Sequence, residues 1–153
     1  MILVYTDGSC NPAFALGGWA AILLIGKEKV VLSGQQKDTT HQRMELTAAI
    51  QALEYIIKIN LHSEQIALYA DSQYVVDIAN RKEKLVAGGF TTRRQSAIRN
   101  DDLVRQLIQY SSQLTIEFFK VKAHLKKEIR ENEFNAEADK LSRKIVRDSV
   151  SRY

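Results

Sequence analysis

Two hydrophobic segments of this chain each run directly into an aspartate. Residues 2–6 (Ile-Leu-Val-Tyr-Thr) precede Asp7, and residues 66–70 (Ile-Ala-Leu-Tyr-Ala) precede Asp71. Short β-branched and aromatic runs with helix-forming sequence between them predict strands of one sheet. If these two strands are parallel neighbours, their ends lie about 4.8 Å apart, at the carboxyl edge where open α/β sheets place their ligands.

Two carboxylates at that separation repel each other strongly unless a proton or a cation lies between them. No lysine or arginine is adjacent in sequence to Asp7 or Asp71, so a divalent metal ion is the simplest partner. Mg²⁺ prefers oxygen ligands and is usually held by a few carboxylates together with substrate phosphates. The pattern therefore predicts a metal-dependent enzyme that acts on a phosphate ester.

The hydrophobic periodicity of the whole chain predicts an α/β fold with a mixed, five-stranded sheet, three antiparallel strands followed by two parallel ones, flanked by helices. The predicted strands after the first are 19–25, 29–32, 66–70 and 114–121. The predicted helices are 41–58, 72–80, one from Asp101 or Asp102 to Tyr110, and a last one that Asn132 caps and that ends near Arg147.

Length and composition indicate one soluble domain. The 153 residues, 45% hydrophobic and 26% charged, fit a single domain spanning residues 1–153. No apolar run approaches the roughly 20 residues that cross a bilayer, and the N-terminus lacks a signal-peptide pattern. We therefore expect a cytoplasmic monomer with no membrane association and no obligatory protein partner. The single cysteine, Cys10, excludes an intrachain disulfide and a cysteine-based zinc site.

Positive charge is concentrated in two stretches. Residues 81–99 hold six basic residues against one acidic residue, a net charge of +5, and residues 120–130 hold five against one. A solvated basic face explains such runs about as well as a binding surface does. Beside an acidic metal site, contact with a nucleic-acid backbone becomes the better interpretation.

Two further acids lie where a carboxylate is costly. Glu45 shares a small-residue helix face with three alanines, and Asp139 shares a face with Asn135 and Ala138. Burying an unpaired carboxylate costs several kcal/mol. Each acid alone is more often a boundary residue with a local partner, just as Asp7 alone fits a turn and Asp71 alone a helix N-cap. Four carboxylates that converge on one sheet edge instead favour a metal site.

Five local strings, taken as an ordered set, closely resemble the type 1 ribonuclease H family. They are residues 6–12 (Thr-Asp-Gly-Ser-Cys-Asn-Pro), 39–46 (Thr-Thr-His-Gln-Arg-Met-Glu-Leu), 71–75 (Asp-Ser-Gln-Tyr-Val), 121–124 (Val-Lys-Ala-His) and 135–141 (Asn-Ala-Glu-Ala-Asp-Lys-Leu). The resemblance extends from residue 2 to about residue 145. It implies the ribonuclease H-like fold and an endonuclease that hydrolyses the RNA strand of RNA/DNA hybrids, leaving 3′-hydroxyl and 5′-phosphate ends.

The resemblance also implies a catalytic role for each acid. Asp7, Glu45, Asp71 and Asp139 would hold two Mg²⁺ ions, for which Mn²⁺ is a possible substitute. Asp7 would bridge both ions, Asp139 would complete the water-activating site, and Glu45 and Asp71 would hold the ion at the leaving group. The resemblance makes His124, in a polar loop, a candidate for proton transfer or product release, because its ordinary pKa suits both states near neutrality. A lone loop histidine is otherwise usually just solvated.

Contacts to the hybrid are expected beside the acids and on the basic stretch. The predicted contacts are Asn11, Thr40, Gln42, Arg43, Arg93 and Arg94. Arg43 has the alternative of an internal salt bridge, and Phe90 is either a stacking surface for a base or an anchor in the core.

The sequence departs from the family pattern at several positions. Ala123 replaces the usual glycine before the loop histidine, the stretch from His124 to Asp139 is longer than in common bacterial members, and residues 13–16 replace a shorter glycine-rich link. A non-catalytic relative that only binds RNA/DNA hybrids is the main alternative to an enzyme. Retention of all four acids argues against it, because carboxylates weaken phosphate binding unless a metal ion neutralises them.

Overall fold

The computed structural model describes the backbone of residues 1–121 and 129–152 and the side chains of residues 1–121 and 133–152. Within these residues the chain forms five strands and five helices. In chain order they are β1 (Ile2–Asn11), β2 (Leu16–Ile25), β3 (Glu28–Gln36), α1 (His41–Lys58), β4 (Gln65–Ala70), α2 (Gln73–Asn80), α3 (Lys82–Ala87), α4 (Asp101–Ser112), β5 (Thr115–Lys120) and α5 (Ile129–Val150).

The five strands form one mixed sheet in the order β3-β2-β1-β4-β5. The pairs β1/β2 and β2/β3 are antiparallel, whereas β1/β4 and β4/β5 are parallel, which confirms the predicted fold class. In the parallel pair Thr6 lies opposite Ala70. The residues that follow them, Asp7 and Asp71, therefore lie side by side at the carboxyl edge, as the two hydrophobic segments predict.

Alternate residues of β1 point to opposite faces of the sheet, and each face packs against a different set of helices. Ile2 and Val4 belong to the larger core, which contains residues of α1, α2 and α4. Tyr5 belongs to a smaller cluster with Ala138 of α5, and its ring lies 5.4 Å from that of Phe134. The central strand is thus buried on both sides, and helices from both faces reach the edge where the acids lie.

Most element bounds agree with the sequence pattern, and the longer bounds of the first three strands have a common cause. Helix α1 spans the predicted residues, with Thr40 as its N-cap. Strand β1 continues past Asp7 to Asn11 because its main chain stays paired with β2 as far as Leu16. Strand β3 likewise runs to Gln36. Main-chain hydrogen bonds extend these hairpins beyond the apolar pattern that predicted them.

Helix α5 begins earlier than predicted. The structure places its first residue at Ile129, so Asn132 lies within the helix and the prediction that it is the N-cap was wrong. A polar residue that precedes an apolar stripe is a cap only if the helix starts there, and the sequence upstream of Asn132 is itself compatible with a helix. Among the described residues, no helix is long and apolar enough to cross a membrane.

Gly8 allows α1 to approach β1 closely. A Cβ at this position would lie 2.4 Å from the backbone nitrogen of Glu45 and 2.5 Å from the carbonyl carbon of Met44. Both distances are below any normal contact, so only glycine lets the first turns of α1 rest on the strand. This contact places Glu45 next to the residue that precedes Gly8, which is Asp7.

We predict that Gly8→Ala lowers the free energy of unfolding by about 1 to 3 kcal/mol, the usual cost of overpacking a tight interior contact. Urea unfolding of the variant measures this change. Gly88→Ala is the matched control, because its Cβ would meet only the carbonyl oxygen of Lys84 at 3.3 Å, and we expect a change within about 0.5 kcal/mol. Equal stabilities of the two variants would contradict the close approach of α1 to β1.

Candidate active site

Of the two strand-end aspartates, Asp7 is the more deeply buried. It lies on β1 and is 4% exposed, and its Oδ1 accepts a hydrogen bond from the backbone N–H of Gly8 at 2.8 Å. Asp71 follows β4 and is exposed. Ser72, the next residue, caps α2 by accepting a hydrogen bond from the N–H of Val75, so Asp71 is fixed between a strand end and a helix start.

Glu45 comes from α1 and is 2% exposed, in agreement with its predicted small-residue environment. Its Oε1 lies 3.0 Å from Nε2 of His41, one helical turn earlier. Its Oε2 is buried and has no hydrogen-bond partner within the described part of the chain. A buried carboxylate oxygen without a partner is costly, so this atom is available to a ligand.

Asp139 comes from α5, on the other face of the sheet. Its side chain is 37% exposed, and its Oδ1 lies 2.9 Å from Nε of Arg143, one turn later. The hydroxyl of Ser142 donates to the backbone carbonyl of Asp139. Asp139 is therefore the more solvent-accessible counterpart of Glu45.

These groups line one cleft of about 320 Å³. The structure thus brings all four predicted acids together, from two strands and from helices on both faces. The lining residues are Asp7, Gly8, Ser9, His41, Glu45, Asp71, Ser72, Asp139 and Arg143.

The electrostatics of the cleft centre on Asp7. Burial, followed by the charge of Glu45 and hydrogen bonds with Asp139 and Glu45, raises the pKa of Asp7 to about 9. Asp7 therefore keeps its proton at neutral pH when no cation is bound. The hydrogen bond to Glu45 raises the pKa of His41 above its ordinary value.

The four acids fit a divalent cation by their chemistry. Among the described residues, no three His, Cys, Asp or Glu side chains form a ready-made metal-binding group. Asp7, Glu45, Asp71 and Asp139 nevertheless line the same cleft, and Oε2 of Glu45 is buried without a hydrogen-bond partner in the described part of the chain. All the donor atoms are carboxylate oxygens, which are the ligands Mg²⁺ prefers.

Two basic side chains of the cleft, His41 and Arg143, were missed by sequence reasoning. The sequence argument used only residues adjacent to the aspartates, but each basic residue lies four residues from its acid along a helix. The pairs His41/Glu45 and Asp139/Arg143 have the i,i+4 spacing that places side chains together on one helix face. That spacing was the signal that could have found them.

The predicted hybrid contacts lie outside the cleft lining. The Oδ1 of Asn11 accepts hydrogen bonds from the N–H groups of Ala13 and Phe14, and Thr40 caps α1 by accepting from the N–H of Arg43. Gln42 is half-buried. These three residues are placed near the start of α1 or the end of β1, and their contact with a hybrid stays a prediction.

The predicted contacts that carry charge have different surroundings. The guanidinium of Arg43 lies 3.0 and 2.7 Å from the two carboxylate oxygens of Asp102, which is the internal salt bridge considered as its alternative. Arg93 and Arg94 are exposed. Phe90 packs against the larger core, in favour of an anchoring role. His124 lies outside the described residues.

Comparison with known proteins identifies relatives along nearly the whole chain. The family model described as RNase H matches residues 1–147. The Ribonuclease H of Prosthecochloris aestuarii is 35% identical over 150 residues, covering 97% of each chain. The Ribonuclease H of Acetivibrio thermocellus is 38% identical over 143 residues, covering 92% of this chain and 91% of the relative.

Solved structures share the fold at lower identity. The solution structure of the PFV RNase H domain superposes with a TM-score of 0.77 at 24% identity, covering 95% of this chain and 93% of that one. The crystal structure of LC11-RNase H1 in complex with RNA/DNA hybrid has a TM-score of 0.69 at 16% identity, covering 98% and 99%.

Four carboxylates that line one cleft at the carboxyl edge of a mixed sheet fit an enzyme that acts on a phosphate ester. The chain belongs to the RNase H family, which confirms the resemblance found in the sequence. Membership makes it an endonuclease that hydrolyses the RNA strand of RNA/DNA hybrids. The family generally depends on divalent metal ions.

The raised pKa of Asp7 predicts how stability depends on pH. Its pKa in the folded state, about 9 against an ordinary 3.8, means that the native state binds more protons than the unfolded state between these values. Stability must then fall as pH rises. Without divalent ions, we expect the parent to lose up to about 1.4 kcal/mol per pH unit between pH 5 and 8 relative to Asp7→Asn, which has no proton to lose.

Urea unfolding in EDTA at both pH values measures this difference. Asp148→Asn, an exposed acid on α5 whose side chain is 59% exposed, is the control, and its difference from the parent should not change between the two pH values. If the stabilities of the parent and Asp7→Asn fall in parallel, Asp7 is not held protonated by its neighbours.

Proposed function

We propose that this chain hydrolyses the RNA strand of RNA/DNA hybrids with two divalent ions, Mg²⁺ or in its place Mn²⁺, held by Asp7, Glu45, Asp71 and Asp139, and leaves 3′-hydroxyl and 5′-phosphate ends. The observation that carries the proposal is the convergence of the buried Asp7 with three further carboxylates in one cleft. A surface that only binds hybrids has no use for such a group, because carboxylates repel the phosphate backbone. The non-catalytic alternative is therefore disfavoured.

The four acids take different roles in this proposal. Bound ions supply an activated water and stabilise the charge that develops on the leaving 3′ oxygen. Asp7, which shares the cleft with Glu45 and Asp139, would be the shared ligand. We assign Asp139 to the water-activating side, a choice supported by its 37% exposed side chain, and Glu45 and Asp71 to the leaving-group side.

The chain's own proton donors and acceptors complete the proposal. We assign proton transfer or product release to His124 on the strength of the family resemblance. His41 is a poorer candidate for that role, since its Nε2 is already paired with Glu45 at 3.0 Å. Arg143 is paired with Asp139 and offsets negative charge in the cleft.

We assign recognition of the DNA strand to the basic segment, residues 81–99. None of its six basic residues has an ion-pair partner within the described part of the chain, so their charge is free to attract phosphates. Arg93 and Arg94 are the exposed members that we assign to backbone contact. Asn11, Thr40 and Gln42 are proposed to contact the hybrid nearer the cleft.

The proposal also covers the organisation of the protein. Residues 1–153 would form one catalytic domain that acts as a monomer in the cytoplasm, without an obligatory protein partner. The single sheet, packed on both faces by helices of the same chain, supports the single-domain assignment.

Incubation with labelled substrates tests the proposed reaction. We expect the parent to cleave an RNA/DNA hybrid when Mg²⁺ is present and to leave the same hybrid intact when Mg²⁺ is absent. Duplex DNA and duplex RNA should stay intact in both conditions. Asp7→Asn should fold normally and lose nearly all cleavage, because its carboxylate is needed by both ions. Cleavage by this variant within tenfold of the parent, with thermal unfolding measured on the same sample, would remove Asp7 from the metal site.

Salt dependence tests the assignment of the basic segment. Replacing Arg93 and Arg94 with alanine should weaken hybrid binding and make the slope of log K against log salt shallower by about 1 to 2 units, because each lost phosphate contact leaves counterions in place. Binding is measured with Ca²⁺ to block cleavage. The control replaces Lys144 and Arg147 of α5, which removes the same charge, and should leave the slope unchanged. An unchanged slope in the arginine variant would make the segment an ordinary solvated surface.

A further inference from the structure

The segment that carries Arg93 and Arg94 is anchored at its start on the core. Phe90 has a left-handed backbone with φ 59°, an unusual conformation for a bulky residue. Its ring packs against the larger core, and the guanidinium of Arg105 lies 4.5 Å from the ring centroid. Its N–H donates to the carbonyl of Leu85 at 3.0 Å. Several contacts therefore hold this strained residue in place.

The middle of the segment is a closed turn. Thr91 and Ala97 form an isolated antiparallel bridge. Inside it, the N–H of Thr92 donates to the carbonyl of Ser96 at 2.7 Å, and Arg93 and Arg94 occupy the exposed tip. The location of these arginines is thus determined by where the base of the turn is attached.

The far end of the segment is attached to two other helices through Asn100. This residue is the N-cap of α4, but its side chain makes no capping hydrogen bond and its backbone is left-handed. Its Oδ1 instead accepts from Nη1 of Arg43 at 3.4 Å, and its Nδ2 donates to the hydroxyl of Tyr74 at 3.1 Å. The side chain of Asn100 therefore joins α4 to α1 and α2 instead of capping α4.

Arg43 is the centre of this attachment. Both of its Nη atoms bind Asp102, at 3.0 and 2.7 Å, in the two-pronged geometry that fixes orientation as well as distance. Arg43 precedes Glu45 by two residues on α1. One rigid helical turn therefore carries both a cleft carboxylate and the group that anchors the arginine turn.

We propose that Arg43 is a positioning residue which, through Asp102 and Asn100, fixes the distance between the arginine turn and the carboxylate cleft and so determines which phosphodiester bond of the bound hybrid is cut. This rests on the proposed function, since it needs a hybrid held at both places. This positioning role replaces the predicted role of Arg43 as a hybrid contact, because its guanidinium is already hydrogen-bonded to Asp102 and Asn100.

The pair is suited to set geometry rather than to hold the fold together. The Asp102 side chain is 61% exposed, and ion pairs at such exposure contribute little to stability. Its removal should leave the chain folded with the arginine turn less tightly placed. The pKa of Asp102, lowered to about 2 chiefly by the hydrogen bond from Arg43, keeps the pair charged at every working pH.

The variant Asp102→Asn tests the attachment, with Asp148→Asn as its control. Both remove one negative charge from a side chain of similar exposure, 61% and 59%, but Asp148 lies on α5 and is paired with Lys144, not with Arg43. Amide hydrogen exchange reads the turn without any substrate. We expect exchange at the N–H of Thr92 and Ile98 to rise about 3- to 5-fold in Asp102→Asn, as much as an exposed ion pair contributes, and to stay within about 1.5-fold in the control. Equal exchange in the two variants would overturn the attachment.

Cleavage of an end-labelled hybrid of defined sequence tests the consequence. In Asp102→Asn we expect cuts to spread to neighbouring phosphodiester bonds and kcat to fall about 3- to 10-fold, with hybrid affinity in Ca²⁺ unchanged within twofold. Asp102→Glu, which keeps the carboxylate, should restore the parent pattern. If Asp102→Asn cuts at the same bonds as the parent, the proposal is wrong.

Arg43→Ala separates positioning from direct contact. A positioning role predicts the cleavage pattern of Asp102→Asn and an unchanged salt slope of binding, whereas loss of a phosphate contact would make that slope shallower by about 1. A shallower slope would therefore overturn the proposal. A parent that cuts no hybrid would instead refute the proposed function, and the exchange measurement would still decide whether Arg43 and Asp102 hold the turn.

Discussion

The buried carboxylate of Asp7 is the constraint on which this structure depends. It is 4% exposed on the central strand, and burial, followed by the neighbouring carboxylates of Glu45 and Asp139, raises its pKa to about 9. A fold gains nothing from such a group unless a cation joins the oxygens. The close packing of α1 at Gly8 and the parallel register of β1 and β4 both serve to assemble it.

The cleft balances its charge unevenly. Glu45 and Asp139 are each paired with a basic side chain a helical turn away, His41 and Arg143. Oε2 of Glu45 is nevertheless buried without a hydrogen-bond partner in the described part of the chain. The cleft at the sheet edge therefore suits a divalent cation. No residue of the basic segment, which lies wholly within the described residues, lines this cleft.

Local patterns in the sequence were sufficient for the sheet and for the convergence of the acids. The runs before Asp7 and Asp71 predict parallel strands because each strand is short, apolar and separated from the next by a helical segment. The length of β1 beyond Asp7 could not be read in this way, since main-chain pairing with β2 carries it through polar residues. The early start of α5 was missed because no apolar stripe marks its first turn.

The remaining gaps concern partners that are distant in sequence. Arg43 and Asp102 are 59 residues apart, and only the packing of α4 against α1 brings them together. Sequence alone therefore predicted a hybrid contact for Arg43, with an internal salt bridge as the alternative. His41 and Arg143 were within reach, since helical spacing relates each to a cleft acid, but they were not examined as partners.

The central claim is that the cluster around Asp7 exists to bind divalent cations. Anomalous diffraction from crystals of the chain soaked in Mn²⁺ tests it most directly, because it locates the ions independently of activity. The account predicts Mn²⁺ in the cleft with Asp7 among its ligands, and no ion there in crystals of Asp7→Asn. Saturating Mn²⁺ that leaves the cleft of the parent empty, or that binds there equally well in the variant, would contradict it.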